Sequence, residues 1–153
     1  MSRFPLSEKQ FHDIYSLVPR LTIEIVLLSD KGIYLTQRNI EPCKDVWHLP
    51  GGTVHFGEPL VETVRRIAKR ELGVTVTDTA LLGYIEYPSH YLKGLDSPVG
   101  ITFQITGFSG KIKHNKEAQQ SGWFKHLPEV THEGQLEFIL SHNLLSSSSP
   151  TPI

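Results

Sequence analysis

The sequence predicts an α/β protein in which a central mixed β-sheet lies between helices on both faces. Runs of β-branched and apolar residues, which are typical of buried strands, recur along the chain. Between them, segment 59–72 places its apolar residues at the period of about 3.6 that indicates a helix. Helices are predicted before, between and after these strands, which indicates a mixed-sheet sandwich.

The remaining elements follow from local patterns. Ser7 and Gln10 have the spacing of a capping box, which predicts a short helix to about Leu17. The segment 134–145 predicts a last helix. One charge, Glu24, interrupts the first apolar run. Strands are predicted at 21–28, 33–37, 74–76, 81–87, 99–108 and 123–124.

Length and composition indicate one globular domain. The 153 residues include 39% apolar and 20% charged side chains, and we expect a single domain over 1–145 with a flexible tail over 146–153. The formal net charge of −1 gives no support for a nucleic-acid partner, and no stretch approaches the ~18 apolar residues of a membrane span. Cys43, the one cysteine, cannot form an intrachain disulfide, which fits a cytoplasmic location.

One residue breaks the pattern of the predicted helix at 59–72. At ~100° per residue the charged side chains lie opposite an apolar arc, but Glu71 falls within that arc. It also lies in the last turn, where the helix dipole disfavours an anion. A carboxylate aimed at a core needs a cation or a hydrogen-bond network, and a hard metal ion would supply the missing charge. The alternative is that Glu71 bends out to water.

The ends of this helix and the loop before it carry further signals. Glu58 is at the position of an N-cap acceptor, Pro59 suits the first helical position, and Gly73 suits the position after the last turn. Upstream, Gly51 and Gly52 allow a backbone to approach a ligand and leave carbonyl oxygens free to coordinate it. Alone, such a glycine pair is more often an ordinary turn.

Together, the glycines and the helix match one specific pattern. Segment 51–74, GGTVHFGEPLVETVRRIAKRELGV, resembles the Nudix box, whose usual form is G-x5-E-x7-R-E-U-x-E-E-x-G-U, with U an aliphatic residue. The resemblance covers about residues 18–145 and implies the Nudix α/β/α sandwich with a central mixed β-sheet. The positions in register are Gly52, Glu58, Arg66, Ala68, Glu71, Gly73 and Val74.

The resemblance implies a hydrolase that uses a divalent cation, Mg²⁺ or alternatively Mn²⁺, to polarise a diphosphate. Glu71 and the carbonyl of Gly51 would bind the ion. As partners we expect a small-molecule nucleoside-diphosphate substrate and, at most, a second copy of the chain in a homodimer. The other box residues would have structural or orienting roles: Gly52, Glu58, Arg66 and Gly73.

Two glutamates of the usual box are absent, because Ile67 and Arg70 stand in their places. The same losses mark the GDP-mannose mannosyl hydrolase branch, which this chain also resembles in its length, its N-terminal helix and an arginine, Arg38, after the second strand. In that branch water attacks the sugar C1, and the nucleoside diphosphate leaves as an anion stabilised by metal and arginine. The resemblance implies that Arg38 stabilises the leaving diphosphate of a nucleotide sugar.

The loop before Trp123 would supply the rest of the machinery. Distance from Trp123 matches Glu117 to the metal-ligand position of the branch and Ala118 to its base position. Alanine cannot act as a base. Thr53 stands where the branch has an arginine directly after the double glycine, and we expect it to contact the substrate. The candidate bases are therefore His114, Glu117 and Glu86.

The residues leave three functions open. The first is hydrolysis of a nucleotide sugar to free sugar and nucleoside diphosphate. The second is pyrophosphatase chemistry at phosphorus, which yields two monophosphates, with Glu117 replacing the lost box carboxylates. The third is a catalytically weak nucleotide-binding module, which Ile67 and Ala118 favour.

Overall fold

The described residues, 4–41, 43–113 and 118–145, form four helices and eight strands in a computed structural model of the chain. No helix in these ranges is long and apolar enough to cross a membrane. In chain order the elements are α1 (Glu8–Tyr15), β1 (Arg20–Val26), β2 (Leu28–Ser29), β3 (Gly32–Arg38), β4 (Trp47–His48), β5 (Gly51–Thr53), α2 (Leu60–Leu72), β6 (Thr75–Glu86), α3 (Pro88–Leu92), β7 (Pro98–Ser109), β8 (Ala118–Phe124) and α4 (Glu133–Ser141).

The strands form two four-stranded sheets. In the first, β1 pairs antiparallel with β5 and parallel with β7, and β7 pairs antiparallel with β6. This sheet is therefore mixed. The second sheet is antiparallel and is built around β3, which pairs with β2, β4 and β8. A backbone hydrogen bond of 2.8 Å from Ile25 N to Pro50 O links β1 to the segment that joins β4 and β5.

Helices cover both faces of the sheets. On one face, α2 buries Val64, Ile67, Ala68 and Leu72 in a cluster with alternate residues of β1. Full burial of each Leu or Ile side chain stabilises the fold by about 2 kcal/mol. On the other face, Phe138 and Ile139 of α4 join a second cluster that includes residues of β1, β3 and β6. The predicted α/β/α sandwich with a central mixed sheet is confirmed.

The helix of the Nudix-like pattern begins one residue later than predicted. Pro59 has extended backbone angles, φ −60° and ψ 143°, and occupies the N-cap without a side-chain hydrogen bond. Glu58 is therefore not the N-cap residue, and its carboxylate binds side chains further along α2 instead. Gly73 ends the helix in the left-handed conformation, φ 71°, as its place in the sequence predicts.

Other segments also differ from the prediction. The predicted strand 123–124 is the end of a longer strand, β8, and the predicted helix 134–145 ends at Ser141. The predicted strands 74–76 and 81–87 are one strand, β6, because bulges near Asp78 and Gly83 keep its pairing with β7 through the irregular middle. The predicted loop after Tyr87 contains the short helix α3. Proline at its first helical position starts this helix, a signal that the polar composition of the loop obscured.

Candidate active site

Glu58 and Arg66 tie the loop after the double glycine to α2. Arg66 Nε donates to Glu58 Oε2 (2.8 Å), and Arg66 Nη2 donates to Glu58 Oε1 (2.9 Å) and to Thr53 O (2.8 Å). Thr63 Oγ1 donates to Glu58 Oε1 (2.5 Å). The hydrogen bonds from Arg66 lower the pKa of Glu58 to about 2, despite its partial burial. The pair is thus a charge-assisted brace that holds the loop in place.

Replacing Glu58 with Gln should lower the free energy of unfolding by about 2 kcal/mol, because it removes the charge of a bidentate pair. Turnover of the folded variant should fall only by a small factor. Because the folded pKa lies below the usual 4.5, this stabilisation is full above that pH and is lost as the pH falls toward 2. Urea denaturation against the control Glu62→Gln, on the exposed side of α2, measures it. Equal stability of the two variants would contradict the bracing role.

The two predicted metal donors face one guanidinium group. Arg70 Nη2 lies 2.9 Å from Glu71 Oε1 and 3.4 Å from Gly51 O, and Arg70 Nε lies 3.2 Å from Glu71 Oε1. The Glu71 side chain is only 11% exposed. A carboxylate and a carbonyl oxygen that converge on a cationic nitrogen also suit a hard divalent cation. The donor set therefore fits Mg²⁺ or Mn²⁺, provided that Arg70 moves aside.

Close approaches of neighbouring atoms favour glycine at both positions of the double glycine. A Cβ atom on Gly51 would collide with Glu24 Oε2 and would lie 2.6 Å from Ile23 O. A Cβ atom on Gly52 would lie 3.0 Å from Arg70 Nη2 and 3.3 Å from Ile67 Cδ1. These glycines therefore let β5 pack between the buried carboxyl of β1 and the helix α2.

A cavity of about 650 Å³ opens beside the double glycine, on the face of the sheet that α4 covers. Its volume is in the range of pockets that bind small molecules. Residues of α1, β1, α3 and the segments next to β4 and α4 form its walls. Gly51, Gly52 and Arg38 all line it. The cavity and the predicted metal donors thus share the backbone of β5.

Glu24 lies buried in the floor of this cavity. Thr22 Oγ1 donates to Glu24 Oε1 (3.0 Å), and the Tyr87 hydroxyl donates to the same carboxyl. Gln135 Nε2 donates to Tyr87 Oη (3.0 Å), while Gln135 Oε1 accepts from Leu49 N (2.6 Å). Burial raises the pKa of Glu24 to about 7, against the lowering effect of its hydrogen bonds. This carboxyl can therefore exchange a proton with a bound molecule near neutral pH.

Replacing Glu24 with Gln should remove a pH-dependent loss of stability. Because the folded pKa is about 7 and the usual value is 4.5, the free energy of unfolding of the wild type falls as the pH rises through this window. The full change is about 3 kcal/mol. Relative to wild type, Glu24→Gln should therefore gain stability between about pH 5 and pH 8, as urea denaturation at both values would measure. Parallel profiles for the two proteins would show that Glu24 ionises normally.

Comparison with known proteins agrees with this architecture. A family model described as NUDIX domain matches residues 18–139.

The chain belongs to the Nudix hydrolase family.

It is 32% identical over 105 residues to the low-salt glycan biosynthesis protein Agl8 of Haloferax volcanii. The aligned region covers 66% of this chain and 67% of that protein. It is 29% identical over 116 residues to an ADP-ribose pyrophosphatase of Methanocaldococcus jannaschii, with 74% and 68% covered. The crystal structure of a MutT NUDIX hydrolase from Burkholderia pseudomallei superimposes with a TM-score of 0.71 and 25% identity, covering 84% of this chain and 99% of that one.

Membership of this family confirms that the chain is a hydrolase. Nudix hydrolases generally use a divalent metal such as Mg²⁺ or Mn²⁺ and act on small nucleoside-diphosphate compounds. One relative is named for glycan biosynthesis and another as an ADP-ribose pyrophosphatase, so membership alone does not define which compound this Nudix hydrolase cleaves.

The predicted substrate-binding residues of this Nudix hydrolase have different surroundings. Arg38 ends β3 at a bulge, where its guanidinium donates to the backbone oxygens of Ile40 (3.1 Å) and Glu41 (3.5 Å) at the cavity wall. Thr53 Oγ1 accepts a hydrogen bond from Arg20 Nη1 (2.9 Å). Thr53 therefore helps to position the guanidinium of Arg20, which also lines the cavity.

The structure describes one of the three candidate bases. His114 and Glu117 lie outside the described residues. Glu86 is exposed at the end of β6, and among the described residues it borders a separate pocket next to α4. The geometry of the described residues thus gives Glu86 no contact with the cavity floor.

Several cavity residues of this Nudix hydrolase have no signal in the sequence. Arg20 Nε bonds Asp96 Oδ2 (2.5 Å), and its guanidinium lies 5.3 Å from the centre of the Phe11 ring. Burial alone would raise the pKa of Asp96, but hydrogen bonds from His90 and Arg20 lower it to about 2. Glu24 was not predicted as a site residue, but it carried a usable signal, because it is a charge within an apolar strand.

Proposed function

We propose that this Nudix hydrolase cleaves a nucleotide sugar or a closely related nucleoside-diphosphate compound by attack of water at the sugar C1, as GDP-mannose mannosyl hydrolases do. The observation that carries the proposal is the polar floor of the cavity, where Glu24, Thr22 and Tyr87 offer hydrogen-bonding groups beside the double glycine. Such groups suit the hydroxyls of a sugar whose diphosphate lies over Gly51. The similarity to a protein named for glycan biosynthesis is a second support.

The residues of the site divide between the two ends of such a substrate. Arg38, at the cavity wall, would stabilise the negative charge that the departing diphosphate gains. A divalent cation held by Glu71 and the Gly51 carbonyl would neutralise and polarise the same diphosphate. Glu24 would hold a sugar hydroxyl, and its partners Thr22 and Tyr87 would keep the carboxyl oriented. The base would come from the segment that contains His114 and Glu117.

The second candidate is attack at phosphorus, which the similarity to an ADP-ribose pyrophosphatase favours. ADP-ribose also carries a sugar on a diphosphate, so the same cavity suits either reaction. The difference lies in where the water is placed relative to the sugar carbon and the phosphorus. The products therefore distinguish the two reactions better than binding does.

Turnover in ¹⁸O-labelled water tests both candidates. GDP-mannose, other nucleotide sugars and ADP-ribose would be incubated with Mg²⁺ or Mn²⁺, and with chelator as a control. Attack at C1 places the label in the free sugar and releases unlabelled nucleoside diphosphate. Attack at phosphorus places the label in a monophosphate. We expect labelled sugar from at least one nucleotide sugar. Label only in monophosphates would support the second candidate, and no metal-dependent turnover would support the weak binding module.

A further inference from the structure

One cysteine and two histidines from separate segments meet at the cavity wall. Cys43 lies between β3 and β4, His90 lies in α3, and His132 directly precedes α4. Cys43 Sγ is 3.8 Å from His90 Nε2, and His90 Nε2 is 3.2 Å from His132 Nε2. The three potential ligand atoms all lie within 4.8 Å of one another. Segments distant in the sequence thus bring together a soft sulfur and two imidazole nitrogens.

These separations are close to those of a tetrahedral zinc site. With Zn–S bonds of about 2.3 Å and Zn–N bonds of about 2.05 Å, tetrahedral angles place two nitrogens about 3.3 Å apart and a sulfur and a nitrogen about 3.6 Å apart. The distances of 3.2 and 3.8 Å are close to these values, and the distance between Cys43 and His132 is at most 4.8 Å. Cysteine and histidine are also the ligands that zinc prefers.

A second layer of contacts orients one of the histidines. His90 Nδ1 lies 3.3 Å from Asp96 Oδ1, and Asp96 is in turn bonded to Arg20. When Nδ1 donates its hydrogen to the carboxylate, the lone pair of Nε2 is directed at Cys43 and His132. A carboxylate behind a histidine is the usual support of a metal-bound imidazole. The arrangement thus orients His90 for a cation.

The backbone at the cysteine is also unusual. Cys43 has φ 61°, a left-handed conformation that non-glycine residues seldom adopt. Residues in sparsely populated conformations are enriched at ligand sites, where other contacts compensate for the strain, although Asp45 in the same loop also has a positive φ of 67°. Cys43 is only partly exposed and lines the cavity together with His90 and His132.

We propose that Cys43, His90 and His132 bind a zinc ion, as one thiolate and two neutral imidazoles, separate from the divalent cation at Glu71. Binding would release the thiol proton of Cys43. Three protein ligands leave the fourth position of a tetrahedral ion open, and since all three residues line the cavity, that position faces the substrate space. It can hold a water molecule or an oxygen of the substrate. This inference is independent of the proposed reaction.

The test uses the fact that Cys43 is the only cysteine in the chain, so a thiol assay reports on one residue. Metal-free protein would be titrated with Zn²⁺ in excess Mg²⁺ and treated with a thiol-reactive disulfide reagent. We expect one equivalent of Zn²⁺, but not Mg²⁺, to slow the reaction of Cys43 at least tenfold. Co²⁺ in place of Zn²⁺ should produce thiolate-to-metal charge transfer and the intense visible bands of a tetrahedral ion.

Variants identify the other ligands. Cys43→Ser and His132→Gln should each weaken Zn²⁺ binding by a hundredfold or more, measured by competition with a chromogenic chelator. His126→Gln, at an exposed histidine outside the cluster, should leave it unchanged. Circular dichroism would verify that each variant is folded. Full reactivity of Cys43 at one equivalent of Zn²⁺, wild-type affinity in His132→Gln, or a Co²⁺ spectrum without charge transfer would each overturn the proposal.

Discussion

Replacing Glu71 with Gln should weaken Mg²⁺ or Mn²⁺ binding by well over tenfold and lower turnover by about a hundredfold. The substitution keeps the shape of the side chain but removes its charge. Glu71 is largely buried in the last turn of α2, and its carboxylate faces the same guanidinium as the carbonyl of Gly51. The neutral amide would leave no anionic ligand among the box residues of that helix turn. Mn²⁺ binding followed by electron paramagnetic resonance, together with the metal dependence of turnover, measures both effects.

Glu62 provides the matched control for this experiment. It lies on the same helix, pairs with Arg65 and is 54% exposed. Glu62→Gln should therefore retain both metal affinity and turnover. If Glu71→Gln retained wild-type metal affinity, Glu71 would not be a ligand, and its ion pair with Arg70 would be structural.

Substitution of Arg70 should change the metal affinity of the same site in the opposite direction. Its guanidinium contacts both predicted donors, so a divalent cation must compete with it. Arg70→Gln should therefore tighten Mn²⁺ binding several-fold while Glu71→Gln weakens it. An unchanged metal affinity with an increased KM for substrate would instead mean that Arg70 binds the diphosphate and does not compete with the ion.

The parts of the fold that the sequence predicts are those with local causes. Helix α2 has its apolar period, a proline at its start and Gly73 at its end within one continuous segment, so its bounds were wrong by only one residue. The prediction that Glu58 is the N-cap residue was wrong, because Pro59 has extended backbone angles and is itself the N-cap. Short-range signals thus locate an element well and its cap less well.

The cavity depends on pairing that short-range signals do not contain. Glu24 lies opposite Gly51 because β1 and β5 pair in one particular register, and no spacing in the sequence specifies that register. Tyr87, directly after β6, donates to Glu24, and Gln135 of α4 donates in turn to Tyr87, so the network joins residues far apart in the sequence. The role of Gly51 in making room for a buried carboxyl could therefore be seen only in the fold.

The segment that contains Glu117 is bounded by two contacts near the predicted site. Lys113 N donates to Leu72 O (2.8 Å), one residue after Glu71 at the end of α2. On the other side, Ala118 is the pairing partner of Arg38 between β8 and β3. The chain therefore enters the segment beside the predicted metal ligand and leaves it beside the predicted diphosphate-binding arginine. Glu117 directly precedes the residue that pairs with Arg38.

Replacing Glu117 with Ala or Gln should lower turnover at saturating Mg²⁺ by about a hundredfold or more. The box has lost two carboxylates, so the site needs another anionic group as ligand or base, and Glu117 is the only carboxylate between Ser109 and Ser121. Loss of a ligand would also raise the metal concentration needed for half-maximal turnover, whereas loss of a base would alter the pH profile at unchanged metal affinity.

The control for this experiment is Glu129→Gln, which changes an exposed carboxylate further along the chain and should leave turnover unchanged. Near-normal turnover in both Glu117 variants would mean that this carboxylate is neither ligand nor base. The same measurements on His114→Gln and Glu24→Gln would then decide where the base lies. Only Glu24 of these two has a described contact network. Because Glu24 is also proposed to hold a sugar hydroxyl, a lower kcat in Glu24→Gln would move the proton transfer to the cavity floor only if the pH profile changed while KM did not.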